Sequence, residues 1–239
     1  MKRRYMKWLF IANLWAVAAF AAWVAWEVYD PTRHIWGYSV YGIDVSKWQP
    51  SINWKTAKAD GLAFVFIKAT EGESEVDPKF KQYWAAATRT GWIKGGYHYY
   101  QPFHSPKKQA RHFCNTIELK KGDLRPVIDI EEFPGKRLGE YYQNLGIFLE
   151  EVEQCLGVKP IIYSSRNYYN AFLEGVLSED YPLWIANYQQ LPTTKGDNLD
   201  REWQFWQYSN RGKVRGVQGN VDLNVFNGSF TELSDFCLK

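Results

Sequence analysis

The sequence lacks the short motifs that would indicate several common kinds of site. It contains no Gly-x-Ser-x-Gly segment and no His-Glu-x-x-His segment, which removes the main support for a serine or zinc hydrolase. No glycine-rich phosphate loop follows any of its apolar runs, so nucleotide binding is not indicated. The three cysteines, Cys114, Cys155 and Cys237, are not spaced as zinc ligands are. We therefore predict a protein that needs no metal and no cofactor.

The chain also lacks a basic face. Its formal net charge is +3, but Lys2, Arg3, Arg4 and Lys7 place four positive charges in the first seven residues. Without these four residues, the chain has 25 basic and 26 acidic side chains. Nucleic acid is therefore not predicted as a partner, because its phosphates are bound by concentrated positive charge.

The basic N-terminus precedes an uncharged segment. Residues 8–26 are nineteen residues without a charge, enough to span a bilayer as a helix. Ala19-Phe20-Ala21 fits a signal-peptide cleavage pattern, so a secreted form is the alternative to an anchored one. The preceding positive charges predict a cytoplasmic N-terminus and an exported body. We predict an anchor or signal segment over 1–28, a linker over 29–39 and one domain over 40–239.

Export would permit disulfide bonds. Cys114 and Cys155 each fall on a predicted helix, whereas Cys237 lies near the C-terminus. One disulfide with a free thiol and no disulfide at all both remain open.

Strands and helices alternate through the body of the chain. Repeated strand–helix–strand units predict a parallel sheet, and about eight of them predict a closed, TIM-like (β/α) barrel. The last strands have little helix between them, so we expect an irregular end with some antiparallel strands. The alternative is an open doubly wound sheet. The predicted strands are 41–45, 63–69, 93–100, 126–131, 160–164, 183–188, 203–208 and 221–226, and the predicted helices are 53–59, 78–89, 105–120, 138–156 and 168–173.

The segment Val127-Ile-Asp129-Ile-Glu131-Glu132 reads as a buried strand that carries two carboxylates. Side chains alternate along a strand, so Asp129 and Glu131 share a face, about 6.6–6.8 Å apart along the backbone. Neighbouring acids disfavour each other's ionisation. Glycoside hydrolysis uses such a pair, with one carboxyl protonated and the other charged. A half-exposed strand end and a pair of metal ligands are the alternatives.

Two further acids occupy comparable positions at strand ends, Asp44 on the first strand and Asp222 on the last. In a barrel the chemistry lies where the strands end and the following loops begin. The first and last strands are neighbours in a closed barrel, so Asp44 and Asp222 should approach each other. His98, within a strand, is more typical of a hydrogen-bonded barrel residue than of a catalytic base.

A set of motifs from Val40 to Phe230 carries a resemblance to a known family. In chain order they are Tyr41-Gly-Ile-Asp44-Val-Ser, Ile67-Lys-Ala-Thr-Glu71-Gly, Gly96-Tyr-His-Tyr-Tyr, Ile128-Asp-Ile-Glu131, Ile162-Tyr163-Ser, Leu183-Trp-Ile-Ala-Asn-Tyr188, Trp206-Gln-Tyr-Ser and Val221-Asp222-Leu-Asn. Together they resemble glycoside hydrolase family 25, the Chalaropsis-type lysozymes or N-acetylmuramidases.

The resemblance implies a function and a set of roles. It implies an irregular barrel, and the expected state is a monomer. The expected reaction is cleavage of the β-1,4 bond between N-acetylmuramic acid and N-acetylglucosamine in peptidoglycan. Glu131 matches the general acid/base, Asp129 its partner carboxylate, and Asp44 and Asp222 the other two acids. The residues expected to line the sugar groove are Lys68, Tyr99, Tyr163, Trp184, Tyr188 and Gln207.

The second half of the reaction has two alternatives. Asp129 would attack the anomeric carbon directly, or it would orient the 2-acetamido group of the substrate as an internal nucleophile. We favour the second, because an acid two residues before the catalytic one resembles other acetamido-sugar hydrolases.

Three rival functions remain to be distinguished. A chitinase-like enzyme usually has a further acid two residues before Asp129, where this chain has Val127. A non-catalytic glycan-binding module would have lost the acid at position 131, and Glu131 is present. A carboxylate cluster that binds a hard cation is physically feasible, since such cations prefer oxygen ligands.

Overall fold

The computed structural model describes residues 35, 37–132, 135, 137–189, 199 and 201–239. Contacts divide the chain into two units, Met1–Trp36 and Gly37–Lys239, and of the first only Ile35 is described. The predicted anchor over 1–28 therefore lies outside the described residues. In the ranges that are described, no helix has the length and apolar character needed to cross a bilayer.

Eight strands close into a barrel, and a ninth short strand extends one of them. The sheet order is β1-β2-β4-β5-β6-β7-β8-β9, closed because β1 pairs with both β2 and β9. All barrel pairings are parallel except those of β9, which is antiparallel to β1 and β8. The predicted irregular barrel with an antiparallel end is confirmed. The strands are β1 Val40–Val45, β2 Leu62–Glu71, β3 Glu75–Val76, β4 Ile93–Tyr99, β5 Val127–Asp129, β6 Ile161–Ser165, β7 Leu183–Ala186, β8 Phe205–Gly212 and β9 Val221–Phe226.

Helices connect the parallel strands. The longest, Leu138–Leu156, has the predicted bounds and ends where Gly157 adopts a positive φ of 70°. The predicted helix 105–120 instead ends at Thr116, because Ile117 turns to extended backbone and buries its side chain. The helices are α1 Trp54–Ala59, α2 Phe80–Arg89, α3 Pro106–Thr116, α4 Leu138–Leu156, α5 Arg166–Tyr168 and α6 Phe230–Leu233, with a π-helical turn at Tyr169–Leu173 and a 3₁₀ turn at Ser234–Phe236.

A disulfide joins two of these helices. Cys114 on α3 is bonded to Cys155 on α4, with their Cα atoms 6.4 Å apart, and Cys237 keeps a free thiol. Of the two alternatives left open by the sequence, the structure therefore has one bridge and one thiol.

Large aromatic side chains fill the lower part of the barrel. Phe66 stacks on Trp184 with ring centroids 4.4 Å apart, and Phe205 packs edge-on against Phe66 at 5.3 Å. Gly42 faces this layer, and a Cβ there would collide with the Phe64 ring. Because rings occupy the lower interior, the polar side chains of the same strand faces lie above them at the mouth.

Candidate active site

The four predicted acids line one cavity at the mouth of the barrel. Asp44, Asp129, Glu131 and Asp222 all contribute to a space of about 200 Å³. Each lies at an inward-facing position of its strand or just beyond the strand end, where alternate residues face the barrel axis. We call this space the inner cavity. Its other lining residues are Tyr97, Tyr163, Trp184, Tyr188 and Gln207.

Asp44 and Asp222 meet across the β1–β9 ladder, as the sequence predicts. They are directly paired in the antiparallel register, an arrangement that brings Cβ atoms to about 4.5–5.5 Å. Asp44 Oδ2 accepts hydrogen bonds from Gln207 Nε2 at 2.7 Å and from Asn224 Nδ2 at 2.8 Å. These donors stabilise a negative charge on Asp44.

The two carboxyls share a proton. Burial raises the pKa of Asp44, while its hydrogen bonds with Asn224, Gln207 and Asp222 oppose that rise. Burial, followed by the charge of Asp44 and the hydrogen bond to it, raises the pKa of Asp222 to about 8. At neutral pH Asp222 therefore keeps its proton and can donate a hydrogen bond to Asp44.

This pKa predicts how stability depends on pH. Between about pH 4 and about pH 8, folded Asp222 keeps a proton that the unfolded chain has released, so the contribution of Asp222 to the stability of the wild type falls as pH rises. Asp222→Asn cannot ionise and still offers Asp44 a donor. Urea denaturation should show the variant gaining stability relative to wild type by more than about 1.4 kcal/mol, one pKa unit, across that window.

A matched control is Asp235→Asn, which changes a carboxyl that is 72% exposed. Its stability relative to wild type should vary little with pH over the same range. If Asp222→Asn differs from wild type by a constant amount at every pH, the shared proton is wrong.

Asp129 ends β5 and is almost fully buried. Its side chain is 8% exposed, and no described residue hydrogen-bonds its Oδ1 atom. Burial, and then the charge of Glu131, raises the pKa of Asp129 well above its usual range, with Lys68 acting in the opposite direction. An unpaired buried carboxyl oxygen is costly, so this atom is suited to a hydrogen-bond donor from a ligand.

Glu131 lies just past β5, whose last residue is Asp129, although the sequence predicts that the strand reaches position 131. The segment is held by side chains from β6 and from the short helix α5 that follows it. Ser164 Oγ donates to Ile130 O at 2.8 Å, and Tyr168 OH donates to Glu132 O at 2.8 Å. Both bonds hold the backbone on either side of Glu131 in place.

Burial also raises the pKa of Glu131. A hydrogen bond with Tyr163 opposes that rise, the charge of Asp44 adds to it, and Lys68 opposes it. Because Asp129 and Glu131 are close enough to shift each other's proton equilibrium, ionisation of both is disfavoured. The pair therefore keeps a proton to a higher pH than an isolated carboxyl does, which is the property a general acid needs.

A hydrogen-bonded chain connects Glu131 to the Asp44–Asp222 pair. Gln207 Oε1 accepts from Tyr163 OH at 2.9 Å and from Tyr188 OH, while its Nε2 donates to Asp44. Below this chain, Trp184 forms the floor of the cavity and donates through Nε1 to Asn224 Oδ1 at 2.9 Å. The polar groups at the mouth thus fix one another's orientation.

A second, more open space adjoins the inner cavity. This outer groove has a volume of about 420 Å³ and follows the ends of β6 and β7. Glu131, Tyr163 and Tyr188 line both spaces. Asp129 lines the inner cavity but not the outer groove, so Glu131 stands at the boundary between the two.

Two of the residues predicted to bind substrate lie outside the lining of the inner cavity. Lys68 Nζ is 2.7 Å from Glu71 Oε2 and 5.1 Å from the centre of the Tyr99 ring. Lys68 nevertheless acts on the site through its charge, since it lowers the pKa of both Asp129 and Glu131. Tyr163, Trp184, Tyr188 and Gln207 all line the cavity.

His98 is not among the residues that line the inner cavity. It is fully buried, contacts Thr70 Oγ1 at 2.8 Å through Nδ1, and has a pKa lowered to about 3, chiefly by burial. It is therefore neutral at physiological pH, and the prediction of a hydrogen-bonded barrel residue is confirmed.

Tyr97 and Asn224 belong to the site but are absent from the residues predicted for it. Tyr97 lines the cavity two residues before Tyr99, and Asn224 bonds Asp44 two residues after Asp222. The period of two along a strand would have identified both, because each shares its face with a predicted site residue. In the described part of the chain, no three His, Cys, Asp or Glu side chains are arranged to hold a metal ion.

The fold and the site together define a glycoside hydrolase. Buried carboxyls with raised pKa values lie where the strands of a (β/α) barrel end, and one of them faces two adjoining binding spaces. The model of the glycosyl hydrolases family 25 matches residues 43–217, and this chain belongs to that family.

Individual relatives agree with the family assignment. The N,O-diacetylmuramidase of Chalaropsis sp is 49% identical over 207 residues, which cover 77% of this chain and 96% of that protein. Lysozyme M1 of Streptomyces globisporus is 33% identical over 207 residues, covering 81% of this chain and 70% of that protein. The solved structure of a family 25 glycosyl hydrolase from Bacillus anthracis superposes with a TM-score of 0.77 at 30% identity, covering 86% of this chain and 96% of that one.

Proposed function

We propose that the protein is a peptidoglycan hydrolase that cuts the β-1,4 bond between N-acetylmuramic acid and N-acetylglucosamine and retains the configuration of the anomeric carbon. The position of Glu131, on the boundary between the inner cavity and the outer groove, is the observation that carries the proposal. The relatives named muramidase and lysozyme support peptidoglycan as the substrate.

The two spaces suggest how the glycan strand binds. The sugar whose anomeric carbon reacts occupies the inner cavity, beside Asp129 and above Trp184. The leaving sugar occupies the outer groove, on the other side of Glu131. In this arrangement the glycosidic oxygen lies next to the Glu131 carboxyl, within reach of its proton.

In the first step Glu131 protonates the glycosidic oxygen as the bond to the leaving sugar breaks. The carbonyl oxygen of the 2-acetamido group attacks the anomeric carbon from the opposite face, and Asp129 accepts a hydrogen bond from the acetamido N–H. The free Oδ1 atom of Asp129 supports this role. In the second step the Glu131 carboxylate removes a proton from the water that attacks the same carbon.

The Asp44–Asp222 pair acts through its charge. It carries a single negative charge beside the reacting sugar, and the transition state of glycoside hydrolysis develops positive charge on the sugar ring. Gln207 and Asn224 hold that charge on Asp44, so it is fixed before the substrate arrives.

The decisive experiment is analysis of the ends that the protein creates. Purified peptidoglycan is digested, the new reducing ends are reduced with borohydride, and the products are examined by mass spectrometry. We expect reduced muramic acid at the new ends, and the same digestion in the presence of a chelator should proceed unchanged. Reduced glucosamine would instead identify a glucosaminidase or a chitinase-like enzyme. Binding without any new ends would identify a glycan-binding module.

We also propose that the protein is exported and held at the membrane by its N-terminal segment. Residues 8–26 carry no charge and follow a basic N-terminus, which supports this orientation. Intact-mass measurement of the protein isolated from membranes would show the full N-terminus. A mature form beginning after Ala21 would instead establish a cleaved leader.

A further inference from the structure

The most exposed large apolar side chain in the described part of the chain stands at the mouth of the barrel. Trp48 is 77% exposed and follows β1, four residues after Asp44. A ring with this exposure contributes little to the core, because most of its surface stays in water. A flat, stiff ring of this kind is well suited to the apolar face of a sugar.

The turn that carries Trp48 is fixed on both sides. Ser46 and Gln49 are each 7% exposed, and Ser46 N donates to Gln49 Oε1 at 2.9 Å. Gln49 Nε2 donates to Asn220 O at 3.1 Å, just before β9, and Lys47 N donates to Asp77 Oδ2 at 2.9 Å. These bonds hold the ring on a rigid base beside the strand that bears Asp222. A rigid base lowers the entropic cost of binding.

The turn that carries Trp48 lies on the side of the barrel opposite β6. The ring order is β1-β2-β4-β5-β6-β7-β8-β9, so β1 lies directly opposite β6. The outer groove is lined by Ser165 at the end of β6 and by Ala186 at the end of β7. A straight path from the outer groove through the inner cavity therefore leaves the mouth over β1, at the turn that carries Trp48.

We propose that Trp48 forms an additional sugar-binding subsite, on which a pyranose ring of the glycan strand stacks beyond the inner cavity, on the non-reducing side of the bond that is cut. This inference rests on the proposed function, because the direction of the strand follows from placing the leaving sugar in the outer groove. Lys47 Nζ lies 5.6 Å from the centre of the Trp48 ring, within the range of a cation–π contact.

The test measures cleavage as a function of glycan length. Aryl glycosides that end in N-acetylmuramic acid are prepared with that sugar alone, as a disaccharide and as a tetrasaccharide, and release of the phenol reports cleavage of the one bond next to it. The shortest of these fragments fills only the inner cavity, and the longer ones add sugars only beyond it on the non-reducing side. For Trp48→Ala, kcat/KM on the longer fragments should fall about tenfold, equivalent to about 1.4 kcal/mol. The loss should appear in KM, and cleavage of the shortest fragment should change less than about twofold. Trp48→Tyr, which keeps a ring, should retain most of the wild-type preference for length.

Phe103→Ala is the matched control. Phe103 is another exposed aromatic residue, at 70%, but it follows β4 and lies to the side of the path from β6 to β1. This variant should keep the wild-type dependence on length. Equal losses for Trp48→Ala at all lengths, no loss at any length, or the same loss in Phe103→Ala would each overturn the subsite. A wild-type protein that cuts none of the fragments would instead overturn the proposed function.

Discussion

Replacing Glu131 by glutamine should slow peptidoglycan cleavage by about 10²–10⁴-fold, the usual contribution of a positioned general acid–base group. The amide keeps the size and most of the polarity of the carboxyl but has no proton of suitable acidity to give. The partners that hold the segment, Ser164 and Tyr168, bond its backbone and are unaffected by the change. Initial rates of release of new reducing ends, with a melting curve to verify the fold, would measure the effect.

The leaving group offers a control that a structural defect would not reproduce. An acidic phenol leaves from an aryl glycoside without being protonated, so the loss of rate caused by Glu131→Gln should be smaller on that substrate. Glu132→Gln changes the next residue, whose structural bond to Tyr168 is made by its backbone oxygen, and should retain near wild-type rates on both substrates. A Glu131→Gln protein that digests cell walls at the wild-type rate would refute the assignment.

Much of the site follows from one property of strands that the sequence displays directly. Asp129 and Glu131 share the inward face because they are two residues apart, and Asp44 meets Asp222 because a closed barrel makes its first and last strands neighbours. The gathering of acids at one mouth was therefore predictable from strand positions. The same reasoning would have added Tyr97 and Asn224.

Other features depend on tertiary contacts that no local pattern encodes. The short strand β3 pairs only with the end of β2, and two residues give too little periodicity to be recognised. The end of α3 at Thr116 depends on the burial of Ile117 against the barrel. The proton shared by Asp44 and Asp222 depends on burial and register together.

The distribution of protons in the site differs from the simplest expectation. Sequence reasoning assigns the retained proton to Glu131 and the charge to Asp129, yet burial and the charge of Glu131 also raise the pKa of Asp129 well above its usual range. The bound substrate would determine which of the two carboxyls holds the proton. An acetamido N–H that donates to Oδ1 of Asp129 stabilises the charged form of that carboxyl. Binding would thus leave the retained proton on Glu131, where the leaving oxygen needs it.

The charge that the bound substrate stabilises on Asp129 gives the second prediction with a large expected effect. Asp129→Asn should lower kcat by about 10²–10³-fold, the cost of removing one group aimed at charge that develops in the transition state. The amide keeps an oxygen acceptor but carries no negative charge with which to stabilise the cation formed from the acetamido group. A glycan from which the N-acetyl groups have been removed should resist the wild-type enzyme for the same reason, because the internal nucleophile is absent. Both effects are measured as rates of formation of reducing ends.

The competing route, in which Asp129 itself attacks the anomeric carbon, makes a different prediction. It forms a sugar ester on Asp129. A slow substrate that carries fluorine at C2 in place of the acetamido group, together with an acidic leaving group, would trap this ester. Under acetamido participation, mass spectrometry of the peptide that contains Asp129 should show no added sugar. A stoichiometric adduct on that peptide would establish Asp129 as the nucleophile. Because the free Oδ1 atom of Asp129 is suited to accepting an N–H as well as to attacking carbon, this measurement decides which of the two the buried carboxyl does.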